Sequence, residues 1–431
     1  VKRALLGAAA LLLAVPAGAQ TIAITGGTVA IGDGSQPIPN GTVILRDGRV
    51  IAAGSRVAVP AGARTIDATG KWVSPGLVVG LAPVGLVEVS GVEETDDTDP
   101  GKSPFSAAID VASAINPRAQ PLQVTRAEGY TRAIVGPVAG NSIFAGQGAI
   151  IDLGTDMDAL MQARAFQYAE LGQVGGRNVG GGRPGVFAYL RNALFEAEAY
   201  RRDQQALSPA LRTGHDGFER QLTRLDAAAL VAVVDGSVPL FVNVNRASDI
   251  LTVLRFNQEF PAIRLVLVGA HEGWMVAPQI AAAGVPVITT ALTDLPETFE
   301  SLAATRSNVG RLRAAGVKVA LRTTRNTAQE AGNLVALAQL PGATGLDWGA
   351  AFATITSAPA EIVGMGAEFG SLLPGRRADV VIWDGDPLEV QSGVEQVFID
   401  GVEQSLDTHM SRLRDRYRQA QPGSLPKAYE R

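Results

Sequence analysis

The chain has 431 residues and no cysteine, which excludes a disulfide framework, a thiol nucleophile and a thiolate metal site. A net charge of −5 at neutral pH argues against a nucleic-acid footprint. An apolar share of 46% with 18% charged residues describes a globular protein able to bury a large core.

Residues 1–19 read as a secretory signal peptide. Lys2 and Arg3 open a short basic start, an apolar run extends from Ala4 to Val15, and Ala17-Gly18-Ala19 supplies a small-x-small cleavage pattern. The alternative, a membrane anchor, requires a helix long enough for a hydrocarbon core of roughly 30 Å, and this run is too short. No other stretch is long enough to span, so the chain is expected not to cross a membrane. An exported chain without disulfides suits a bacterial periplasm.

Residues 20–74 carry short apolar strands separated by turns, with Gly26-Gly27 and Asp47-Gly48 between them. Asp-Gly between two alternating runs signals a hairpin, because both turn residues must take positive φ. Residues 368–405 repeat this style, with turns at Asp384-Gly385 and Asp400-Gly401. The two segments are expected to form one small composite β-sandwich domain from both ends of the chain. Residues 75–367 alternate apolar strands (133–138, 240–244, 265–268, 285–289 and 317–321) with amphipathic helices such as 249–256 and 299–315. This pattern predicts an α/β fold, a (β/α)8 TIM-like barrel, with a doubly wound open sheet as the structural alternative.

Several segments stand apart. Gly175-Gly176, Gly180-Gly181-Gly182 and Gly185, with Arg177 and Arg183, lack the Gly-Lys-Ser/Thr of a phosphate cradle and predict a flexible loop at the barrel mouth. Glu93, Glu94, Asp96, Asp97 and Asp99 form an acidic run. It reads as solvated surface or, without EF-hand spacing, as an oxygen-ligand site for Ca²⁺ or Mg²⁺. In residues 406–431, Leu406, Met410, Leu413 and Tyr417 make one helical stripe, predicting a docked helix or an oligomer contact before a loose tail.

Two end motifs carry a resemblance. Lys71-Trp72-Val73-Ser74-Pro75-Gly76-Leu77-Val78 resembles the passage from the β domain into the first barrel strand of the amidohydrolase superfamily. Gly370-Ser371-Leu372-Leu373-Pro374-Gly375-Arg376-Arg377-Ala378-Asp379-Val380-Val381 resembles the return into that domain. Gly85-Leu86-Val87-Glu88-Val89, Ala114-Ile115-Asn116-Pro117 and Phe144-Ala145-Gly146-Gln147-Gly148 are similar to the exported branch related to imidazolonepropionase. The resemblance implies hydrolysis of non-peptide C–N bonds, with Zn²⁺ or another divalent metal activating a water.

The ligands that this chemistry implies are mostly missing. The expected His-x-His pair falls on Leu81 and Pro83, and the acidic position before it on Val79. The fifth strand offers Asn243 and Asn245 in place of a histidine. The sixth supplies His271, and the eighth puts Arg322 and Thr324 where an aspartate is expected. The chain holds three histidines, His215, His271 and His409, so an imidazole cluster is nearly excluded and no metal or other cofactor is predicted.

What remains is a polar pocket. His271 is the candidate catalytic residue, as a lone general base or a hydrogen-bond donor, or else a vestige satisfied by a neighbour. Arg322 either binds an anion in place of the lost metal charge or pairs with Glu88 or an acid from the loop below. Asn243 and Asn245, two apart on a strand, share a face and either line the pocket or satisfy Arg322 and Thr324. Two functions follow. One is a hydrolase of amide or cyclic amide bonds, working through His271 with Glu88 or Glu272. The other is a catalytically inactive periplasmic pseudoenzyme that binds a small molecule or another protein subunit, as a homo- or hetero-oligomer.

Overall fold

The computed structural model describes residues 21–99, 101, 103–205 and 221–418. The signal-peptide assignment, His215 and the tail beyond 418 lie outside the described residues. Among the described residues no helix is long and apolar enough to cross a membrane.

The N-terminal part forms β1 (Ile22–Val29), β2 (Ile38–Arg46), β3 (Arg49–Gly54), β4 (Arg64–Asp67) and β5 (Trp72–Pro75). The Asp47-Gly48 turn joins β2 to β3 with φ of 52° and 69°, as that dipeptide requires. The barrel strands are β6 (Leu77–Ala82), β7 (Tyr130–Val135), β8 (Phe144–Asp152), β9 (Leu160–Glu170), β10 (Leu240–Val244), β11 (Leu265–Gly269), β12 (Val287–Thr289) and β13 (Val319–Leu321). Helices α1 (Gln120–Ala127), α2 (Gln173–Asn178), α3 (Arg183–Gln205), α4 (Arg224–Val234), α5 (Ala247–Glu259), α6 (Ala277–Ala282), α7 (Asn308–Ala314) and α8 (Thr327–Leu337) connect them. After α9 (Trp348–Ala353) and α10 (Ser357–Ile362), β14 (Val380–Trp383), β15 (Val394–Ile399) and β16 (Val402–Gln404) return to the first sheet. That sheet runs β16-β15-β14-β5-β1-β2-β3, with β4 also on β1. Both chain ends therefore build one sheet, joined where β14 pairs antiparallel with β5.

The second sheet runs β13-β12-β11-β10-β9-β8-β7-β6 and is nearly closed. At the seam, Leu321 and Val78 donate their N–H groups to the carbonyls of Thr354 and Ile355, which bridge β13 to β6. One departure from simple β–α alternation stands out. β8 pairs antiparallel with both β7 and β9, so a meander occupies this quarter of the barrel. From β9 to β13 the pairs are parallel.

Some expectations need correction. The strand expected at 133–138 ends at Val135, because Gly136-Pro137 follows and proline cannot donate to a ladder. Only Asn308–Ala314 of the helix expected at 299–315 forms. The hydroxyl of Thr298 accepts from the Glu300 N–H, and that of Thr305 from the Ser307 N–H, so side chains compete with the helical ladder. The glycine-rich segment is a loop only at Gly180-Gly181-Gly182; on either side it forms α2 and the start of α3. A Cβ on Gly175 would lie 2.0 Å from the Glu170 carbonyl oxygen, so glycine there permits close packing. Arg183 pins the segment by ion pairs of 2.6 Å to Asp249 and to Glu300.

In the acidic run, Asp96 accepts from Thr98 and Asp99 from the Gly101 N–H. Of the predicted stripe, Leu406 packs against the main core, whereas the helix α11 (His409–Arg418) buries no side chain among the described residues, with Met410 64% and Tyr417 58% exposed.

Candidate functional site

Alternation along the barrel strands places the site. Residues between barrel and helices, such as Val242, Val244, Leu267 and Leu321, belong to the main core. Their neighbours Val78, Leu81, Ile134, Phe166, Tyr168, Phe241, Val266, Val268, Ile288 and Ala320 form a separate apolar core inside the barrel. Phe166 stacks on Phe241 there, with centroids 4.2 Å apart. Two residues further along the same faces the side chains turn polar. Phe241 is followed by Asn243 and Asn245, Tyr168 by Glu170, Ile288 by Thr290, and Ala320 by Arg322. With His271, just past β11, these form a polar cup at the C-terminal strand ends, resting on an apolar floor.

The contacts are specific. Asn243 Nδ2 donates to Glu170 Oε2 at 2.7 Å, and the Tyr168 hydroxyl donates to Glu170 Oε1 at 3.1 Å. The Thr290 hydroxyl lies 3.5 Å from His271 Nε2 and 2.6 Å from the Thr293 hydroxyl. His271 Nδ1 and Asn245 Oδ1 are buried with no hydrogen-bond partner. Gly269, at φ +82°, makes room for both asparagines: a Cβ there would lie 2.3 Å from Asn245 Oδ1 and 2.8 Å from Asn243 Oδ1. Ala270, at φ +47°, and Leu81, at φ +65°, hold left-handed backbone beside the cup, an unusual cost for residues with a Cβ.

Electrostatics set the protonation states. Burial pushes the Glu170 carboxyl above its ordinary range, while Asn243, Tyr168 and Arg322 pull it back and Glu300 pushes it further. Burial lowers His271 and Arg322 adds to that, against the opposing charge of Glu297, so the imidazole is neutral at neutral pH. Arg322 is half-buried and lies near Tyr168, Glu170 and His271; its N–H donates to the Thr289 carbonyl, while its guanidinium makes no ion pair or hydrogen bond to any described residue.

The expected pocket is therefore brought together in part: Asn243, Asn245, His271 and Arg322 converge. Glu88 does not join them. It is exposed, accepts from Asn116 Nδ2 and does not pair with Arg322. Thr324 is turned away to the start of α8, where its hydroxyl donates to Glu330 Oε1 at 2.7 Å and its N–H to Thr327 at 2.7 Å. Glu272 is committed to the backbone, accepting from the N–H groups of Ala247 and Ala303. Sequence reasoning missed Glu170, Tyr168 and Thr290. The alternation in Phe166-Gln167-Tyr168-Ala169-Glu170 was the available signal for the first two.

A divalent metal does not fit these residues. Leu81, 3% exposed, packs into the barrel core where a histidine would be needed, and Pro83 begins a turn to Leu86. One imidazole, one carboxylate already holding two donors, and an unpaired guanidinium do not make a cation site. Among the described residues no group of three His, Asp or Glu is gathered to hold a metal, the acidic run included.

Residues 257–406 match the model of the amidohydrolase family. Amidohydrolase tasK of Hapsidospora irregularis is 25% identical over 366 residues, covering 78% of this chain and 37% of its own length. The chain thus spans little more than a third of that relative. The structure of an amidohydrolase from Thermotoga maritima MSB8 superposes with a TM-score of 0.77 at 24% identity, over 89% of this chain and 99% of that one. An adenosine deaminase from Xanthomonas campestris with bound zinc gives a TM-score of 0.52 at 17% identity, over 92% and 97% of the two chains. Residues 257–406 are thus similar to the amidohydrolase family, and the chain shares its fold with the Thermotoga maritima amidohydrolase.

Proposed function

We propose that this chain is a periplasmic, catalytically silent amidohydrolase relative of the imidazolonepropionase-related branch, whose barrel mouth binds a small molecule. The observation that carries the reading is the unpaired Arg322 guanidinium, set among Glu170, His271, Asn243 and Asn245 where the superfamily plan needs metal ligands. Leu81 supports it by filling the barrel centre with apolar surface. The residues left at the strand ends are hydrogen-bonding groups suited to orienting a ligand, a use that needs no activated water. The exposed stripe of α11, with Met410 and Tyr417, is proposed as a contact with another copy or a partner subunit.

Metal content and activity test the reading together. The purified chain, exposed to Zn²⁺ and Mn²⁺, is expected to hold metal well below stoichiometry and to leave dipeptides and cyclic amides intact. Near-stoichiometric metal that is lost on His271→Ala, with hydrolysis, overturns it. Cell fractionation tests export: cytosolic recovery of the unprocessed chain would sink the periplasmic assignment.

A second reading, metal-free hydrolysis of a C–N bond, is favoured by one observation: a neutral His271 and a carboxyl held toward its protonated form share a site with Arg322. His271 would take a proton from water attacking the carbonyl carbon, Arg322 would face the developing oxyanion, and Glu170 would protonate the departing nitrogen. Turnover by metal-stripped protein, lost in both His271→Ala and Glu170→Gln, would establish it.

A further inference from the structure

We infer that the barrel mouth takes a small organic anion through a single carboxylate, seated on the Arg322 guanidinium beside Glu170. This rests on the binding reading above and names its ligand class. The guanidinium is a planar fork of donors that matches a carboxylate bidentately, and no described residue occupies it. Its surroundings complete the match. The Asn245 amide nitrogen donates to no protein acceptor among the described residues, and the Thr290 and Thr293 hydroxyls stand beside His271.

The charge balance selects among anions. Among the described residues the cup holds one unpaired guanidinium, and the groups facing Glu170 are Tyr168 on β9, Asn243 on β10, Arg322 past β13, and Glu300 after β12. Glu297 adds negative charge near His271. With Glu300 already paired to Arg183 and Glu170 protonated, the single guanidinium does not balance a phosphate dianion, whereas a monocarboxylate neutralises it. Glu170 then works with the ligand. An ionised Glu170 repels an incoming carboxylate, whereas a protonated one carries an O–H donor to offer it. Binding is therefore coupled to proton uptake at Glu170, and affinity rises as pH falls through its titration.

The experiment uses the full mature chain, read by thermal shift and calorimetry, with propionate, N-acetylglycine, propionamide and inorganic phosphate as probes. The carboxylates are expected to raise Tm and the amide and phosphate to leave it unchanged. Arg322→Gln is expected to weaken carboxylate binding about tenfold to a hundredfold, the range for a lost charge-assisted pair, and Arg322→Lys to restore it only in part. Calorimetry in two buffers of different ionisation heat is expected to show proton uptake in wild type and none in Glu170→Gln.

Carboxylate binding untouched by Arg322→Gln, or phosphate or propionamide binding as tightly as propionate, overturns the inference. If propionamide binds and loses affinity in His271→Ala, the small-molecule reading survives while the carboxylate assignment falls. If no probe binds, the assignment falls, and the metal measurement above decides the broader reading separately.

Discussion

Asn243 Nδ2 and Glu170 Oε2 meet at 2.7 Å across neighbouring strands, where the two residues are paired in register. An amide thus holds a carboxyl at the C-terminal end of the strands, in the polar cup. The carboxyl's titration should be visible in stability. Burial raises Glu170 above its ordinary value of 4.5, so the folded chain binds this proton more tightly than the unfolded chain. Its contribution is complete below 4.5 and is lost as pH rises through the higher folded-state value. Glu170→Gln removes that loss. Denaturant melts are expected to show the variant gaining on wild type from acid to neutral pH and then levelling. Parallel pH profiles for the two proteins would show that the folded environment leaves Glu170 unshifted.

Leu81 is the second lever, because it stands where the metal pair would begin and is buried in the barrel core. Leu81→Ala is expected to cost about 2–5 kcal/mol by denaturant unfolding, the range for truncating a buried leucine. Leu81→His returns one imidazole while Pro83, Asn243 and Arg322 stay in place. Its metal content, by elemental mass spectrometry, should remain far below stoichiometry. A filled site in that single variant would mean that the barrel keeps a latent ligand set.

The composite β domain and the parallel half of the barrel were legible because their signals are local. Asp-Gly turns fix hairpins, and apolar runs bounded by glycine mark buried strands. The meander of β8 and β9 was not, since antiparallel pairing inside a β/α pattern is set by tertiary partners. With β9 unread, Glu170 and Tyr168 had no strand to place them. The resemblance let Leu81, Pro83 and Asn243 be read as replacements for metal ligands, and the structure puts Leu81 in the barrel core and Asn243 in the cup. The fate of Glu88 and Thr324 could not, because Asn116 and Glu330 draw them away through loop geometry that carries no periodicity.

At the other end of the barrel lumen, Arg132 is 1% exposed and bonds Asp379 through Nε and Nη2, each at 2.7 Å. Nη2 also pairs with Asp400 at 2.9 Å, so β7 of the barrel is tied to the turn between β15 and β16. Burial works against the charge, yet Asp379 and Asp400 push the guanidinium above its ordinary value. Arg132→Met leaves the buried Asp379 without its cation, while Asp400 keeps Arg377 at 3.0 Å, and should cost about 3–5 kcal/mol. Arg132→Met combined with Asp379→Leu should recover part of this, since replacing both partners costs less than orphaning one. If the double variant is no better than the sum of the singles, the pair is not coupled as its geometry indicates.

Gly269 separates the fold from the site. Alanine there meets two obstacles: φ of +82°, which costs an L residue roughly 1–2 kcal/mol, and contact with both asparagine oxygens. The main chain is held by β10 and β12 on either side, so the movable parts are the Asn243 and Asn245 side chains. Displacing Asn243 breaks its bond to Glu170, and the freed carboxyl loses one of the groups that pull it back toward its ordinary range. Gly269→Ala is therefore expected to melt cooperatively, destabilised by about 2 kcal/mol. Its carboxylate-induced thermal shift should be lost, and its pH profile should move upward relative to wild type. Retention of the thermal shift at wild-type size would mean that the two asparagines do not shape the cup.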